Sequence, residues 1–413
     1  MIGLVDGNNF FVSCERVIQP SLRGKPVAVL SNNDGCCVSR SNEFKALGIP
    51  MGTPYFQLKD RERTGELVFR SSNYELYGDM SRRVISILRD LAVDVEQYSI
   101  DEAFIHPPST VADDLAAYGK RVRARVLQWT GIPCGVGFAP TKTLAKIANH
   151  IGKKRPDGVF VMPDDPTPVL KELPVGEVWG IGRQMVQRLK AERVFTALQF
   201  RDLPDDVIRR AGSVVTLRTA MELRGIPAVD ERDYEADPDS VSCSRSFGEP
   251  VTSEEALSES VATFTAQAAT KLRKHGLTAA GCNIYAQMGT ACEHSYVART
   301  VTFPQPTDAT NDMLRAIREE VGALFIPGAR YRKSGVVFFG LERAGAPRQG
   351  DLFAAAEPTR PSKLYKAVDA LNARYGRGKV FSAAEGIAKP WKMKRGKLSP
   401  RATTNWNELL VVG

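Results

Sequence analysis

The sequence predicts a mixed α/β chain of several domains, and three observations predict it. Short apolar runs alternate with amphipathic runs at helical spacing through the first 165 residues. A second set of alternating strand runs, with helical runs between them, begins at about Val241. Between the two sets, residues 231–241 are acidic and lack any apolar period, which marks a linker. At 413 residues the chain exceeds one ordinary domain, and 43% hydrophobic residues can supply its cores.

Taken in order, Ile2–Asp6 reads as a first core strand and Asn8–Val17 as a turn and helix, with Phe11, Cys14 and Val17 at helical spacing. Lys25–Leu30 and Cys36–Ser39 read as strands around the turn Asn32-Asn33-Asp34-Gly35. Ser41–Leu47 reads as a helix stopped by Gly48 and Pro50. Tyr74–Leu91 carries Met80, Val84, Ile87, Leu88 and Leu91 at helical spacing. Leu115–Trp129 does the same, with Val122, Val126 and Trp129 expected inward. Strands at 2–6, 94–98, 101–105 and 133–138 with two helices predict a ferredoxin-like split βαβ sheet, which brings Asp6 beside Asp101.

Thr141 then suits a helix N-cap, with Leu144, Ile147, Ala148 and Ile151 as the buried stripe and Lys142 and Lys146 on another face. Asp164–Pro168 reads as a hinge. Val178-Trp179-Gly180-Ile181-Gly182 before a helix at 183–191 reads as a helix-hairpin-helix element, whose glycine amides can approach a phosphate. Beyond the linker, strands are expected at Val241–Phe247, Cys282–Met288, Tyr296–Phe303 and Ser334–Leu341. Helices are expected at Glu254–Gly276, Asn311–Phe325 and Pro361–Tyr375.

Chemistry concentrates in Glu96–Phe104, where Asp101 and Glu102 sit side by side in an apolar and aromatic run ended by His106-Pro107-Pro108. Buried carboxylates are costly unless something positive meets them. Adjacent acids at a strand turn suit a divalent cation with oxygen ligands, an exposed acidic bend being the alternative. Asp6 ends the first strand beside Gly7, so a carboxylate and a nearby backbone carbonyl can face one ion. Three carboxylates can hold two magnesium ions, which activate an attacking hydroxyl and stabilise a leaving pyrophosphate.

Asp6-Gly7-Asn8-Asn9-Phe10-Phe11 followed by Tyr98-Ser99-Ile100-Asp101-Glu102-Ala103-Phe104 resembles the Y-family, translesion DNA polymerases. Ser31–Cys36 and Ser72–Tyr77 are similar to the UmuC-type catalytic subunit of bacterial DNA polymerase V. The resemblance continues through Val178–Gly182, Cys243–Glu249 and Trp391–Arg395, and so covers essentially the whole chain. It implies a right-hand polymerase: a ferredoxin-like palm at 1–165, fingers inserted at about 16–74, a thumb at 166–230 and a little finger at 242–343. A tail at 344–413 completes the division.

The resemblance implies that Asp6, Asp101 and Glu102 are catalytic and, with Gly7, hold the metal. It assigns dNTP contacts to Asn9, Phe10, Phe11, Ser39, Asn42, Lys45 and Lys146. Many relatives carry Tyr and Arg at the places of Asn42 and Lys45, so this lining is weaker but still polar and cationic. A solvated helix face is the alternative for Ser39, Asn42 and Lys45. Phe11, close after Asp6, is expected beside the incoming sugar as a steric gate, a palm-core aromatic being the alternative. Gly180, Gly182, Arg245, Arg299, Arg332 and Lys333, with Arg330, are expected to face DNA phosphates, against a plain charged surface.

Gln349, Leu352 and Phe353, flanked by Ala and Pro, resemble a sliding-clamp-binding peptide, a tucked strand end being the alternative. Lys389, Lys392, Lys394, Arg395, Lys397 and Arg401 form a basic cluster for DNA or protein contacts. Primer-template DNA, dNTPs and a clamp are the expected partners, and a processed UmuD-type dimer and a RecA filament follow from the UmuC likeness. The net charge of +9 suits a polyanionic partner. No apolar run reaches a membrane span and the N-terminus opens directly on a strand, so a cytoplasmic protein is expected. Seven Cys without paired zinc spacing read as reduced thiols, mostly buried. A metal-dependent nuclease or cyclase on a similar palm, or a DNA-binding scaffold with a dead palm, is the competing reading. A cyclase needs no fingers, thumb or little finger, and a scaffold needs no acid triad.

Overall fold

The structure, a computed structural model, describes residues 1–229, 237–289, 294–345, 362–376 and 378–409. It divides into two compact units, Met1–Glu235 with Gly396–Gly413, and Ala236–Arg395.

The first unit is built on a five-stranded sheet in the order β5-β6-β1-β7-β8. Its strands are β1 (Ile2–Gly7), β5 (Asp94–Gln97), β6 (Glu102–His106), β7 (Cys134–Ala139) and β8 (Val159–Val161). The first four, with helices α4 (Tyr74–Leu91) and α5 (Leu115–Thr130) as crossovers, form the βαββαβ ferredoxin-like arrangement. Side chains alternate across it. Val5, Ile105, Val136 and Phe138 pack on Ile85, Leu88, Val122 and Val126 of α4 and α5. Leu4, Phe104 and Ala139 face the other way, onto Leu144, Ile147 and Ala148 of α6 (Lys142–Gly152). Thr141 caps α6 by accepting from the Leu144 N–H at 3.4 Å. α6 lies so close on β7 that a Cβ added at Gly137 would stand 2.0 Å from the backbone nitrogen of Asn149.

One inward assignment fails: Trp129 is 56% exposed. Thr130, one residue on and four after Val126, takes the inward place and donates to the Val126 carbonyl at 2.6 Å. Trp129 instead lies under the Arg125 guanidinium, 4.7 Å from the ring centre.

Between β1 and α4 sit α1 (Phe10–Ile18), α2 (Asn42–Ala46), α3 (Lys59–Arg63) and a three-stranded sheet, β3-β2-β4. Its strands are β2 (Val27–Leu30), β3 (Cys37–Arg40) and β4 (Val68–Ser71), the last pairing parallel to β2. After β8 come α7 (Thr167–Glu172), α8 (Arg183–Ala191), α9 (Ala197–Arg201), α10 (Asp205–Ala211) and α11 (Val214–Leu223). Their apolar residues join the α6 face of the sheet in one core. Gly180 stands at φ +86° just before α8, a turn conformation that suits glycine.

The second unit is an antiparallel sheet in the order β11-β10-β12-β9: β9 (Val241–Val251), β10 (Leu277–Gly289), β11 (His294–Thr307) and β12 (Tyr331–Arg343). Helices Glu254–His275 and Thr310–Gly322 cover one face. The later helix Ser362–Tyr375 is tied down by Asp369, whose two oxygens accept from Arg273 at 2.7 and 3.0 Å. Trp391 is buried against Phe247 and Phe264. The segment read as a basic cluster thus also supplies core. Residues 396–409 return to the first unit along β4 and the start of α4.

Among the described residues the cysteines are free, and Cys14, Cys37, Cys134, Cys243 and Cys282 are buried. Burial pushes the Cys37 thiol up to about 11 and those of Cys134 and Cys282 to about 12. Cys292 lies outside the described residues. No helix among them is long and apolar enough to cross a membrane.

Candidate active site

The antiparallel register makes Asp6 and Glu102 direct partners on β1 and β6. The Gly7 N–H donates to the Asp101 carbonyl at 2.9 Å, which draws the third acid to the same sheet end. Each carboxylate meets a different group. Asp6 Oδ2 is 2.6 Å from Lys153 Nζ. Glu102 accepts from Lys146 Nζ with both oxygens, at 3.0 and 2.9 Å. Asp101 Oδ1 accepts from the Ser99 hydroxyl at 2.7 Å. Burial pushes the Asp6 carboxyl up to about 6; Lys153 works against that, and the charges of Glu102 and Asp101 add to it.

The cations come from one helix. Lys142, Lys146 and Lys153 are spaced i, i+4 and i+11 along α6 and its C-cap, so they share a stripe. Lys142 pairs with Glu96 at 2.5 Å, both buried. Lys146 Nζ lies 4.5 Å from the Tyr98 ring centre and 5.1 Å from that of Trp179. These aromatics desolvate its ammonium without removing its attraction to a π face. The sequence pattern points to Lys146 as a site residue but not to Lys153, Ser99 or Trp179. The i+7 step from Lys146 to Lys153 was the signal available.

A second polar group stands on the other side. Asn9, in the left-handed region at φ 48°, precedes α1. Its Oδ1 accepts from Lys45 Nζ at 2.6 Å and its Nδ2 donates to Asn42 Oδ1 at 3.0 Å. Burial and the charges of Arg40 and Lys153 hold Lys45 below the usual lysine range, while Asp6 opposes them. Asn9, Asn42 and Lys45 are therefore together and within electrostatic reach of the acids. Ser39 is buried on β3 opposite Val29. Phe10 is a core residue, 3% exposed, so only its backbone can meet a nucleotide. Phe11 is half-buried and stacked face to face on Tyr77, ring centres 4.4 Å apart at 11°.

Three hard-oxygen donors at one sheet end suit divalent cations in type. Among the described residues, however, no three His, Cys, Asp or Glu side chains form a closed cage. The carboxylates are in a charge-neutralised arrangement in which Lys146 and Lys153 hold two of them. Lys146 occupies both oxygens of Glu102 and Lys153 one oxygen of Asp6, so a metal at those atoms competes with the lysines.

The remaining candidates scatter. In the second unit, Lys333 lies opposite Ser246 and Gln287, on the face away from the helices. Arg245 lies opposite Ser334, and Arg299 opposite Ile284, both on the helix-bearing face. Arg332 sits at the register shift between Tyr331 and Lys333. The register thus does not bring these four onto one face. Gly182 is the N-cap residue of α8. Gln349, Leu352 and Phe353 lie outside the described residues.

Residues 5–150 match the impB/mucB/samB family, residues 238–352 its C-terminal domain, and residues 362–412 a domain of unknown function. The chain is 40% identical to "Protein UmuC" of Salmonella typhimurium over the whole of both chains. It is 38% identical to "Protein ImpB" of Salmonella typhimurium over 99% of each. It is 29% identical to "DNA polymerase IV 1" of Bacillus subtilis over 90% of each. Among solved structures, the "Y-family DNA polymerase chimera Dbh-Dpo4(243-245)-Dbh" superposes with a TM-score of 0.63 at 20% identity, covering 83% of this chain and 100% of that one. An end-to-end relative at this identity, two matched family domains and acids converging on a ferredoxin-like sheet assign the chain to the impB/mucB/samB family, the UmuC-type Y-family translesion DNA polymerases.

Proposed function

We propose that the chain extends primers past damaged template positions, in the error-prone synthesis of an SOS-type damage response, with two magnesium ions held by Asp6, Asp101, Glu102 and the Gly7 backbone. The observation that carries the reading is the register pairing of Asp6 with Glu102 and the bond from Gly7 to Asp101. When bound, the ions supply charge for the attacking 3′-hydroxyl and the leaving pyrophosphate. The chain's own residues position the reactants. Lys45 and Lys146, on either side of the acids, neutralise triphosphate charge, and Asn9 and Asn42 orient Lys45. The backbone at Phe10 offers further polar contact, and Phe11 excludes the 2′-hydroxyl of a ribonucleotide. Gly180 and Gly182 approach duplex phosphates, and in the second unit Lys333, on the sheet face away from the helices, meets DNA phosphates.

Gln349, Leu352 and Phe353 dock a sliding clamp, and a UmuD-type processed dimer and a RecA filament complete the assembly in the cytoplasm. Primer extension with magnesium and dNTPs is the test. Asp101→Asn should abolish nucleotide addition and leave DNA binding largely intact. Normal extension by that variant would overturn the assignment.

A further inference from the structure

Behind the Phe11 ring lies a buried polar chain that the polymerase reaction does not require. Phe11 stacks on Tyr77, which is fully buried. The Tyr77 hydroxyl donates to Glu15 Oε1 at 2.6 Å. Glu15 is one turn along α1 from Phe11 and is also fully buried. Its Oε2 has no hydrogen bond of ordinary length. Burial raises the Glu15 carboxyl, and Tyr77, then Ser399, then the Arg70 charge pull it back. A buried carboxylate without an ion-pair partner is costly, so the groups that face it matter.

One of those groups belongs to the C-terminal segment. Ser399, 3% exposed, accepts from Asn73 Nδ2 at 2.9 Å. Asn73 is the N-cap of α4, the helix that carries Tyr77, and accepts from the Leu76 N–H at 3.3 Å. The segment is pinned just before that contact. The Gly396 N–H donates to Asp34 Oδ2 at 2.8 Å, and the Lys397 N–H to Ser71 Oγ at 2.9 Å. The Ser71 N–H donates back to the Lys397 carbonyl at 3.0 Å, and Lys397 Nζ reaches Glu62 Oε1 at 2.7 Å. These residues lie in the region whose family match is a domain of unknown function.

We propose that residues 396–401 are a strut for the sugar-facing ring, and that Ser399, Glu15 and Tyr77 are positioning residues that fix the stance of Phe11 and so set discrimination against ribonucleotides. This rests on Phe11 being the gate. Steric exclusion of one hydroxyl is sensitive to small tilts of the ring, because the clash is short-ranged. Face-to-face stacking holds Phe11 only as firmly as Tyr77 is held. Tyr77 is held by its hydroxyl on Glu15 and by a helix start tied to Ser399.

The test uses the full-length chain. Two quantities are read: the rNTP/dNTP incorporation ratio in primer extension, and the thermal stabilisation given by ATP against dATP with magnesium. Tyr77→Phe keeps the ring and loses the bond to Glu15, and Ser399→Ala empties the strut. Each should relax discrimination by about three- to tenfold, the range expected for loss of one buried hydrogen bond. Glu15→Ala should do the same, while Glu15→Gln, which can still accept from Tyr77, should restore it. Val122→Ala, in the palm core away from this chain, should lower the melting temperature without moving either readout. An unchanged ratio in Tyr77→Phe and Ser399→Ala, with Phe11→Ala relaxed, would overturn the strut and leave the gate standing. An unchanged ratio in stable Phe11→Ala would remove the gate itself, and the strut with it. A shift in Val122→Ala as large as in Ser399→Ala would also overturn the strut.

Discussion

Gly137→Ala should damage the active site from beneath. The nearest atoms to an added Cβ are Asn149 N at 2.0 Å, Ala148 C at 2.5 Å and Asn149 Cα at 2.6 Å. All are α6 backbone, so no side-chain rotation relieves them. Ordinary contact begins at 3.4 Å, so α6 has to retreat by about 1.4 Å there. That retreat stretches the Asn149 Nδ2 bond to the Leu4 carbonyl, now 3.2 Å, and the lysine contacts to Glu102 and Asp6. Overpacking costs about 1–3 kcal/mol and a lost buried bond about 1 kcal/mol more, so about 3 kcal/mol is expected. For a unit of this size that is a fall of about 6–12 °C in melting temperature. Primer extension should fall by about tenfold or more at temperatures where the variant is still folded, since a shift of about 1 Å can cost that much or more. Gly78→Ala is the contrast: it is helical, with only Arg82 Nη1 at 3.7 Å, and should raise the melting temperature slightly. A Gly137→Ala protein that melts within about 1 °C of the parent and extends primers normally would refute the reasoning.

Three further outcomes are expected. Glu15 has its folded pKa raised above 4.5 by burial. Its contribution to stability is therefore fully present below 4.5 and is lost as pH rises through the folded value. Glu15→Gln should gain on the parent in melting temperature between pH 5 and pH 8, and a gap that stays constant or narrows would contradict that sign. Lys153→Ala removes the cation on Asp6, so magnesium should raise the melting temperature of this variant more than that of the parent. Equal magnesium shifts would show that Lys153 does not compete for that carboxylate. Leu352→Ala combined with Phe353→Ala should remove sliding-clamp binding in a titration and leave the melting curve unchanged, and retained affinity would make the peptide structural.

Local pattern carried much of the fold. Helix Tyr74–Leu91 lies where the apolar spacing puts it, the helix at 183–191 follows the Gly-Ile-Gly turn, and Asp6 and Glu102 pair on neighbouring strands with Asp101 just before β6. Trp129 was misplaced because Val122 and Val126 are equally compatible with Trp129 or Thr130 inward, and the small, self-bonded threonine fits the tighter place. Strand β4 was not legible, since Val68–Ser71 becomes a strand only by parallel pairing with β2. The tail was least legible. Ser399 meets Asn73 across 326 residues, and Trp391 enters a core built mainly from residues before 339, so neither has a local signature.

The two sides of the candidate site are held by different physics. α6 brings the cations to the acids and is fixed at several points. Gly137 admits its backbone against β7, and Asn149 bonds the Leu4 carbonyl. At its start, Thr141 donates to the Glu222 carbonyl at 2.8 Å, and buried Glu222 accepts from the Thr143 N–H at 2.9 Å. The same carboxylate accepts from the Ala228 and Val229 N–H groups, so α6 is stapled to the end of α11. Buried bonds of this kind resist displacement, because breaking one strands a polar group away from water. On the opposite side, Asn9 is joined to Asn42 and Lys45 of α2 by exposed hydrogen bonds between side chains. Water replaces such bonds at little cost. The acid end is therefore rigid where phosphoryl transfer needs fixed geometry, and the end that carries Asn9, Asn42 and Lys45, the proposed nucleotide contacts, is compliant. A polymerase that accepts distorted base pairs needs that division: a loose grip that tolerates misshapen pairs, and a firm seat for the reacting phosphate.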